Sequence, residues 1–183
     1  MSNLLNRALD DLRDVFNHLD QATLDQAVAA IATSNRLALY GVGREGLQMK
    51  GLAMRLFHLG LKASVVGDMT TPAIGKGDLF IASAGPGYFS TVSALMGVAK
   101  RAGAKTLLVT AQPQGECSKH ADHVLHIPAQ TMANDTGGGV SVLPMGSLYE
   151  GAQYIVFKIM ILMLRERLAI SAEAMRANHT NLE

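Results

Sequence analysis

Three glycines, Gly41, Gly43 and Gly46, follow a strand-like stretch, Leu37–Tyr40, and precede a helical pattern. Glycine permits a positive φ and lets a ligand reach the backbone amides, because no Cβ stands in the way. The first N–H groups of the following helix have no partner within the helix and lie at the positive end of its dipole. Arg44 adds a positive charge, so we predict that this loop binds a phosphate group.

A second stretch, from Ser83 to Thr91, has the same organisation of strand, glycine loop and helix start. Ser90 or Thr91 suits the N-cap position, where a hydroxyl accepts a hydrogen bond from the first turn of the helix. The same two hydroxyls, together with Ser83 and Gly87, would also suit a phosphate at a helix N-terminus. Capping and phosphate binding both remain open from the sequence.

The third stretch begins at Pro144, where we predict the start of a helix that runs to about Leu168. Glu150 falls in the first turn, where a carboxylate complements the helix dipole. Ser147 and Glu150 also have the spacing of N-cap and N3 residues, which is typical of a capping box.

The first loop also matches the Gly-x-Gly-x-x-Gly fingerprint of dinucleotide-binding domains, and Asp68 falls roughly where such domains carry a ribose-binding acid. Two features argue against a nicotinamide enzyme. The chain offers no second domain to hold a hydride-transfer substrate, and Arg44 stands between the glycines. This hypothesis therefore ranks below phosphate binding.

Composition limits the classes of partner. The chain has 183 residues, a net charge of +1 and no tryptophan. It therefore lacks the basic surface and the stacking residues of nucleic-acid-binding proteins, and we expect no nucleic-acid partner. Apolar residues make up 49% of the chain and charged residues only 17%. We expect a homo-oligomer, a dimer or a tetramer, because a monomer of this size would hide less apolar surface.

The single cysteine, Cys117, excludes an internal disulfide, and the first residues show no basic and apolar leader segment, so we expect a cytoplasmic location. The most apolar stretch, Ile155–Leu164, contains Lys158 and is too short to cross a bilayer. We interpret it as part of a buried helix and expect no membrane partner.

The chain is predicted to be one α/β domain, 1–183, with a helical arm at 1–34, a sheet core at 35–128, a loop at 129–143, and C-terminal helices and tail at 144–183. Two amphipathic helices precede the first strand and would serve as a dimer arm or as a lid over the sheet edge. Short strands rich in Val, Leu and Ile then alternate with helices, which predicts a doubly wound, five-stranded parallel sheet. The predicted strands are Leu37–Tyr40, Ala63–Val66, Leu79–Ser83, Thr106–Thr110 and His123–Ile127. Later helices are predicted at about Glu45–Leu59, Thr91–Arg101, Glu116–His120, Pro144–Leu168 and Ala172–Ala177.

Ligands of doubly wound sheets bind beyond the carboxyl ends of the strands, and glycine and hydroxyl residues collect at those ends here. The loop at 129–143 contains three consecutive glycines, Gly137–Gly139, and is predicted to be mobile or ordered by a ligand.

Five motifs in the same order resemble the 6-phospho-3-hexuloisomerase family of SIS (sugar isomerase) domain proteins. They are Gly41–Gly46, Ala53–Gly60, Val66–Ile74, Pro144–Glu150 and the closing residues Asn181–Glu183. The resemblance covers nearly the whole chain. It implies a flavodoxin-like SIS fold, a site without metal or cofactor, usually a tetramer, and the conversion of 3-hexulose 6-phosphate to fructose 6-phosphate through an enediol.

On matching positions, the resemblance implies that Glu150 is the catalytic base. It also implies that His179, in the tail, is its acid/base partner and reaches into a neighbouring subunit. The residues that it places around the substrate are Arg44, His58, Thr70, Thr71 and Ser147. Gly43, from the first glycine loop, is expected to bind the substrate as well.

This sequence departs from the family pattern in both glycine loops. Glu45 stands where the family typically has serine, and the second loop lacks the hydroxyls of the family's Ser-Gly-Ser-Gly-Glu-Thr. A carboxylate at a helix N-terminus repels phosphate and competes for the same N–H groups. We therefore keep two alternatives, an isomerase of a different sugar phosphate and a non-catalytic sugar-phosphate sensor, and we expect Glu45 to contact a sugar hydroxyl or to act as an additional acid/base.

A cluster of His120, Asp122, His123 and His126 resembles a set of metal ligands. On a strand, however, His123 and His126 point to opposite faces, so three ligands do not converge, and we predict no metal site.

Overall fold

Five short parallel strands form the centre of this computed structural model, which describes residues 2–135 and 141–182. The strands are β1 (Leu37–Gly41), β2 (Ala63–Val65), β3 (Leu79–Ser83), β4 (Lys105–Thr110) and β5 (His123–His126). The α-helices are α1 (Ser2–Asn17), α2 (Gln21–Ala32), α3 (Gly43–His58), α4 (Ser90–Arg101), α5 (Ser147–Arg167) and α6 (Ala172–Ala177). Glu116–His120 forms a short 3-10 helix. The glycines at 137–139 lie outside the described residues.

The strand order is β2-β1-β3-β4-β5, and every neighbouring pair is parallel. This confirms the predicted doubly wound sheet, and each strand agrees with its predicted range to within one residue at either end. The order reverses between β1 and β3, which is where doubly wound sheets bind their ligands. Gly41 and Ser83 pair across this point, so both glycine loops leave the sheet at the same level.

Alternate residues of the strands pack on opposite faces of the sheet, as the period of a strand requires. Leu37 and Leu39 of β1 belong to the larger core, with α2, α3 and α5, whereas Ala38 belongs to a smaller core with α4. Both faces are therefore covered by helices, which explains why the central strands are largely apolar.

The two N-terminal helices are present as predicted. The predicted stripe of α2, from Leu24 to Ile31, is buried and packs against β5 and α5. Helix α1 packs on α5, but Leu5 and Leu9 of its apolar stripe are exposed. Both helices thus contribute to the core of a single chain, α1 through Val15 near its end, but α1 leaves part of its apolar stripe exposed.

Helix α5 contains the apolar stretch Ile155–Leu164 and is longer than that stretch. Its 21 residues include a window of mean hydropathy 1.3, enough by length and composition to cross a membrane. Half of that window is buried, and the helix packs against α1, α2 and α3. The sequence argument relied on the short length of the apolar stretch, but the whole helix is long enough to cross a bilayer. Its assignment as a core helix is therefore supported by its packing against other helices.

Helix α5 begins at Ser147, because Met145 and Gly146 adopt left-handed backbone conformations (φ 54° and 83°). The predicted start at Pro144 and the predicted capping box are both wrong, since Gly146 occupies the N-cap position and offers no side chain. The N-cap of α4 is likewise Phe89, without a side-chain cap, so the expected N-cap role of Ser90 or Thr91 is also wrong.

The fingerprint glycines allow β1 and α3 to pack closely. A Cβ on Gly46 would lie 2.6 Å from the carbonyl oxygen of Gly41, and a Cβ on Gly41 would lie 2.9 Å from Cγ of Met49. Gly43 has φ of 57°, and a Cβ there would meet no atom of the described residues within 4 Å. Two of the three glycines thus serve packing, and the third serves a left-handed turn.

We expect Gly46→Ala to lower the free energy of unfolding by about 1–3 kcal/mol, because the added methyl overlaps a backbone oxygen that cannot move freely. Gly97→Ala in α4 is the matched control. Its Cβ would meet only the flexible end of Arg101, at 3.3 Å. The control should therefore raise the free energy of unfolding by about 0.5–1 kcal/mol through helix propensity. Urea unfolding of both variants measures these changes, and equal effects would show that the close approach at Gly46 is unimportant.

Candidate active site

A cavity of about 270 Å³ opens where the strand order reverses, between the two glycine loops and the start of α5. Its lining residues are Glu45, Pro86, Phe89, Thr131, Met132, Ala133, Met145, Gly146, Tyr149 and Glu150. Most of this lining is apolar, and its two ionisable carboxylates come from the first turns of α3 and α5. The geometry resembles ligand sites in which a few polar groups converge in an apolar cleft.

Arg44 connects the first glycine loop to the start of α5. Its guanidinium donates hydrogen bonds to the carbonyl oxygen of Met145 (2.5 Å) and to Oγ of Ser147 (3.3 Å). Its Nε lies 3.1 Å from Oε1 of Glu150. Three residues that we predicted from separate motifs, Arg44, Ser147 and Glu150, are therefore in direct contact.

Glu45 is buried and reaches across to the second glycine loop. Its Oε2 accepts hydrogen bonds from Oγ of Ser83 (2.5 Å) and from the backbone N–H of Gly85 (2.9 Å). The expectation that this carboxylate competes for the N–H groups of its own helix is wrong, because its hydrogen bonds are made to the loop that follows β3. The side chain spans the gap between the two loops.

Tyr149 and Gln153 complete this network, and sequence reasoning missed both. The side-chain amide of Gln153 donates to Oγ of Ser83 (2.8 Å), and the hydroxyl of Tyr149 lies 3.2 Å from the same oxygen. Because Tyr149 and Gln153 are four residues apart, they share one face of α5. This spacing of two polar residues on a mostly apolar helix is the signal that could have identified them.

Burial dominates the acid–base properties of both cavity carboxylates. It raises the pKa of Glu45, the hydrogen bonds from Ser83 and Gly85 oppose that rise, and the charge of Glu150 adds to it. Burial also raises the pKa of Glu150, against the effect of the Arg44 guanidinium. The pKa of Tyr149 lies well above its ordinary value because of burial and the charge of Glu45.

The remaining predicted residues of the two loops lie around this centre. Gly43 is the first residue of α3. Gly87 packs against Gly115, and its carbonyl oxygen accepts a hydrogen bond from the N–H of Cys117 (3.1 Å). Ser90 and Thr91 are exposed on the first turn of α4. None of these four lines the cavity as the structure describes it.

A second group of predicted residues lies at the other end of α3. His58, the last residue of that helix, is buried, and its ring centroid is 4.9 Å from that of His179 in the tail. Asn178 fixes the tail there by donating a hydrogen bond from its side chain to the carbonyl oxygen of His58 (3.1 Å).

Thr70 and Thr71 do not line the cavity of Glu150. They line a separate cavity of about 670 Å³ beside the edge strand β2, together with Arg36, Lys62 and Asn178, the neighbour of His179 in the tail. The hydroxyl of Thr71 donates to the carbonyl oxygen of Val65 (2.6 Å). Asp68, the acid proposed for a dinucleotide ribose, lines the same cavity and not the one between the glycine loops.

The structure therefore does not gather all the predicted site residues within one chain. Glu45 lies in the first turn of α3, and His58 ends the same helix. The 16 residues of α3 span about 24 Å. Glu150 and His179 therefore lie at opposite ends of α3 within one chain.

No group of three or more histidine, cysteine, aspartate or glutamate side chains that could hold a metal occurs in residues 2–135 and 141–182. Asp122 instead accepts hydrogen bonds from the N–H and hydroxyl of Thr106, which ties β4 to the start of β5. Cys117 is buried, and burial raises the pKa of its thiol, which disfavours the reactive thiolate.

Comparison with known proteins identifies the family of this chain and several of its relatives. The SIS domain family matches residues 30–152. The chain is 34% identical to the 3-hexulose-6-phosphate isomerase of Mycobacterium gastri, covering 100% of this chain and 92% of that protein. It is 31% identical to the enzyme of the same name from Bacillus subtilis, covering 96% and 95% of the two chains.

A solved structure supports the same relationship. This chain superimposes on the crystal structure of a Methanococcus jannaschii protein with a TM-score of 0.85. For that protein, the crystal structure infers a molecular function of 3-hexulose-6-phosphate isomerase. The two chains are 26% identical over 98% of each.

Proposed function

Since this chain belongs to the SIS domain family, we propose that it is a sugar-phosphate isomerase that interconverts phosphorylated ketoses of the 3-hexulose 6-phosphate and fructose 6-phosphate type. Its full-length relatives of that name support this assignment. The observation that carries the proposal is the position of Glu150. It lines the cavity at the reversal of strand order, and only 16% of its side chain is exposed beside the Arg44 guanidinium.

The proposed reaction moves a carbonyl from C3 to C2 through an enediol. Glu150 takes the proton from C2 of the 3-hexulose, the C3 carbonyl oxygen gains a proton, and an enediol forms. The C2 hydroxyl then loses its proton while C3 gains one, which gives the 2-ketose. A base with a raised pKa suits this task, because efficient proton transfer needs a pKa near the working pH.

Arg44 would position this base. Its contacts with Met145, Ser147 and Glu150 fix the carboxylate at the rim of the cavity. The guanidinium also offers a positive charge to an oxygen that becomes negative as the enediol forms. Loss of Arg44 would therefore affect both the orientation of Glu150 and the stability of the intermediate.

We further propose that a second copy of the chain completes the site by contributing His179. Two observations support a homo-oligomer. The histidine pair lies at the far end of α3 from Glu150 within one chain. The neighbouring helices α3 and α5 also expose large apolar side chains, namely Leu47, Met54, Phe57, Tyr154, Ile159 and Leu162. Association through such a surface would bury it and bring the ends of α3 from different copies near each other.

We place the reaction in the cytoplasm, where the buried thiol of Cys117 would stay reduced. The single cysteine supports this location because no internal disulfide is possible.

Turnover in deuterated water tests the proposal. The purified protein should convert 3-hexulose 6-phosphate into fructose 6-phosphate and incorporate solvent deuterium at C3, which proton NMR detects. A panel of pentulose and hexulose phosphates covers the alternative of a different substrate. Binding of these compounds, seen as thermal stabilisation, without exchange of any carbon-bound proton would refute catalysis and favour a sugar-phosphate sensor.

A further inference from the structure

The carboxylate of Glu45 is hydrogen-bonded to a backbone amide of the second glycine loop. It accepts the N–H of Gly85 at 2.9 Å and the hydroxyl of Ser83 at 2.5 Å. A loop amide and a neighbouring hydroxyl are the groups that such a loop would otherwise offer to a bound anion. Here the protein itself supplies the anion.

The second loop packs closely against this carboxylate at Gly85, where there is no space for a side chain. A Cβ on Gly85 would lie 2.8 Å from Oε1 of Glu45 and 2.8 Å from Cε1 of Tyr149. Gln153 and Tyr149 hold Ser83 in place from the other side. Glu45 is 8% exposed, so the contact is buried rather than a surface encounter.

The charges around the cavity are unfavourable for a phosphate at this loop. Among the described residues that line it, Glu45 and Glu150 are acidic, and none is lysine, arginine or histidine. The nearby Arg44 already contacts Glu150, Ser147 and a carbonyl oxygen. A phosphate dianion at the Gly85 amide would therefore face two carboxylates without a cation of its own, in a site of reduced dielectric constant.

We propose that Glu45 determines specificity by filling the anion position of the second glycine loop, so that the loop end of the cavity receives uncharged hydroxyls of the sugar while the phosphate binds elsewhere. This inference rests on the proposed sugar-phosphate isomerase and specifies how its substrate lies. Both hydrogen bonds of Glu45 within the described residues are made by Oε2, so Oε1, as a hydrogen-bond acceptor, suits a sugar hydroxyl. The substrate is thus a sugar phosphate that contacts the second glycine loop through its hydroxyl groups and not through its phosphate.

Inorganic phosphate is the probe for this inference, because its binding does not depend on turnover. Isothermal titration calorimetry should show that Glu45→Ser binds inorganic phosphate at least tenfold more tightly than the wild-type protein. Adding Ser83→Ala to Glu45→Ser should remove that gain, which would locate the new site at the second loop. Glu116→Ser removes an exposed carboxylate from the first turn of the 3-10 helix and should leave phosphate binding unchanged.

Equal phosphate affinities of the wild-type protein and Glu45→Ser would overturn the inference. If Glu45→Ser does not fold, Glu45→Ala serves instead, because it also removes the side chain that fills the anion position while favouring the helix, and a tighter phosphate affinity is again expected. A crystal structure of the wild-type protein with fructose 6-phosphate gives an independent answer. A phosphate group on the Gly85 amide would refute the inference, whereas a sugar hydroxyl beside Glu45 would support it. Failure of the isomerase proposal would instead appear as an absence of turnover with any sugar phosphate.

Discussion

Glu150→Gln is expected to lower kcat for ketose-phosphate isomerisation by about 10²–10⁴-fold, the range that a positioned general base contributes. The amide keeps the size of the side chain and can still contact Arg44, but it cannot take a proton from carbon. KM should change much less than kcat, because the substrate-binding groups remain. Steady-state kinetics with 3-hexulose 6-phosphate measures both constants, and loss of deuterium exchange should parallel the loss of kcat.

The matched control for this substitution is Glu166→Gln, an exposed glutamate near the far end of the same helix. It removes the same charge from α5 and should leave kcat unchanged. The pH profile supplies a second test, because Glu150 acts only when it is ionised. Since burial raises the pKa of Glu150, activity of the wild-type protein should fall with decreasing pH already above the ordinary glutamate value of 4.5. Full activity of Glu150→Gln would rule out its role as the base.

Mixing two inactive variants is expected to restore activity if the site is shared between chains. Glu150→Gln and His179→Ala should each have low activity alone, since each removes one half of the proposed acid/base pair. In randomly mixed oligomers, about a quarter of the sites combine an intact Glu150 from one chain with an intact His179 from another. Refolding the variants together and assaying turnover should therefore recover about a quarter of the wild-type activity.

A second mixture controls for unspecific stabilisation. Arg44→Ala and Glu150→Gln alter the same cluster of one chain, so every site in their mixture keeps a damaged cluster and activity should not return. Recovery in this control, or its absence in the mixture with His179→Ala, would contradict a site built from the two ends of α3. Sedimentation analysis of each mixture would establish that oligomers form.

The sequence was sufficient for the sheet because its strands are short, apolar and bounded by glycine and polar residues. The cavity was also predictable in outline, since Arg44, Ser147 and Glu150 all follow from helix starts at one end of the sheet. The direction of the Glu45 side chain was not predictable, because a side chain in the first turn of a helix can accept hydrogen bonds from the amides of its own helix or from those of a neighbouring loop. That choice depends on the β1–β3 register, which places Gly41 beside Ser83.

The position of His179 illustrates a different limit. Tail residues carry no periodic signal, and the hydrogen bond from Asn178 to the end of α3 joins segments that are 120 residues apart. Thr70 and Thr71 were assigned to the pocket of Glu150 by motif alone, whereas the loop that carries them follows the edge strand. The motifs thus predicted one site for these residues, but they could not show which of the residues lie close together within one chain.

The close fit between Glu45 and Gly85 constrains the order in which mutations can accumulate. Any side chain at position 85 would collide with the carboxylate and with the ring of Tyr149. While glutamate occupies position 45, a side chain at position 85 is therefore strongly disfavoured. The two positions are expected to behave as an epistatic pair, in which the effect of a substitution at 85 depends on the residue at 45.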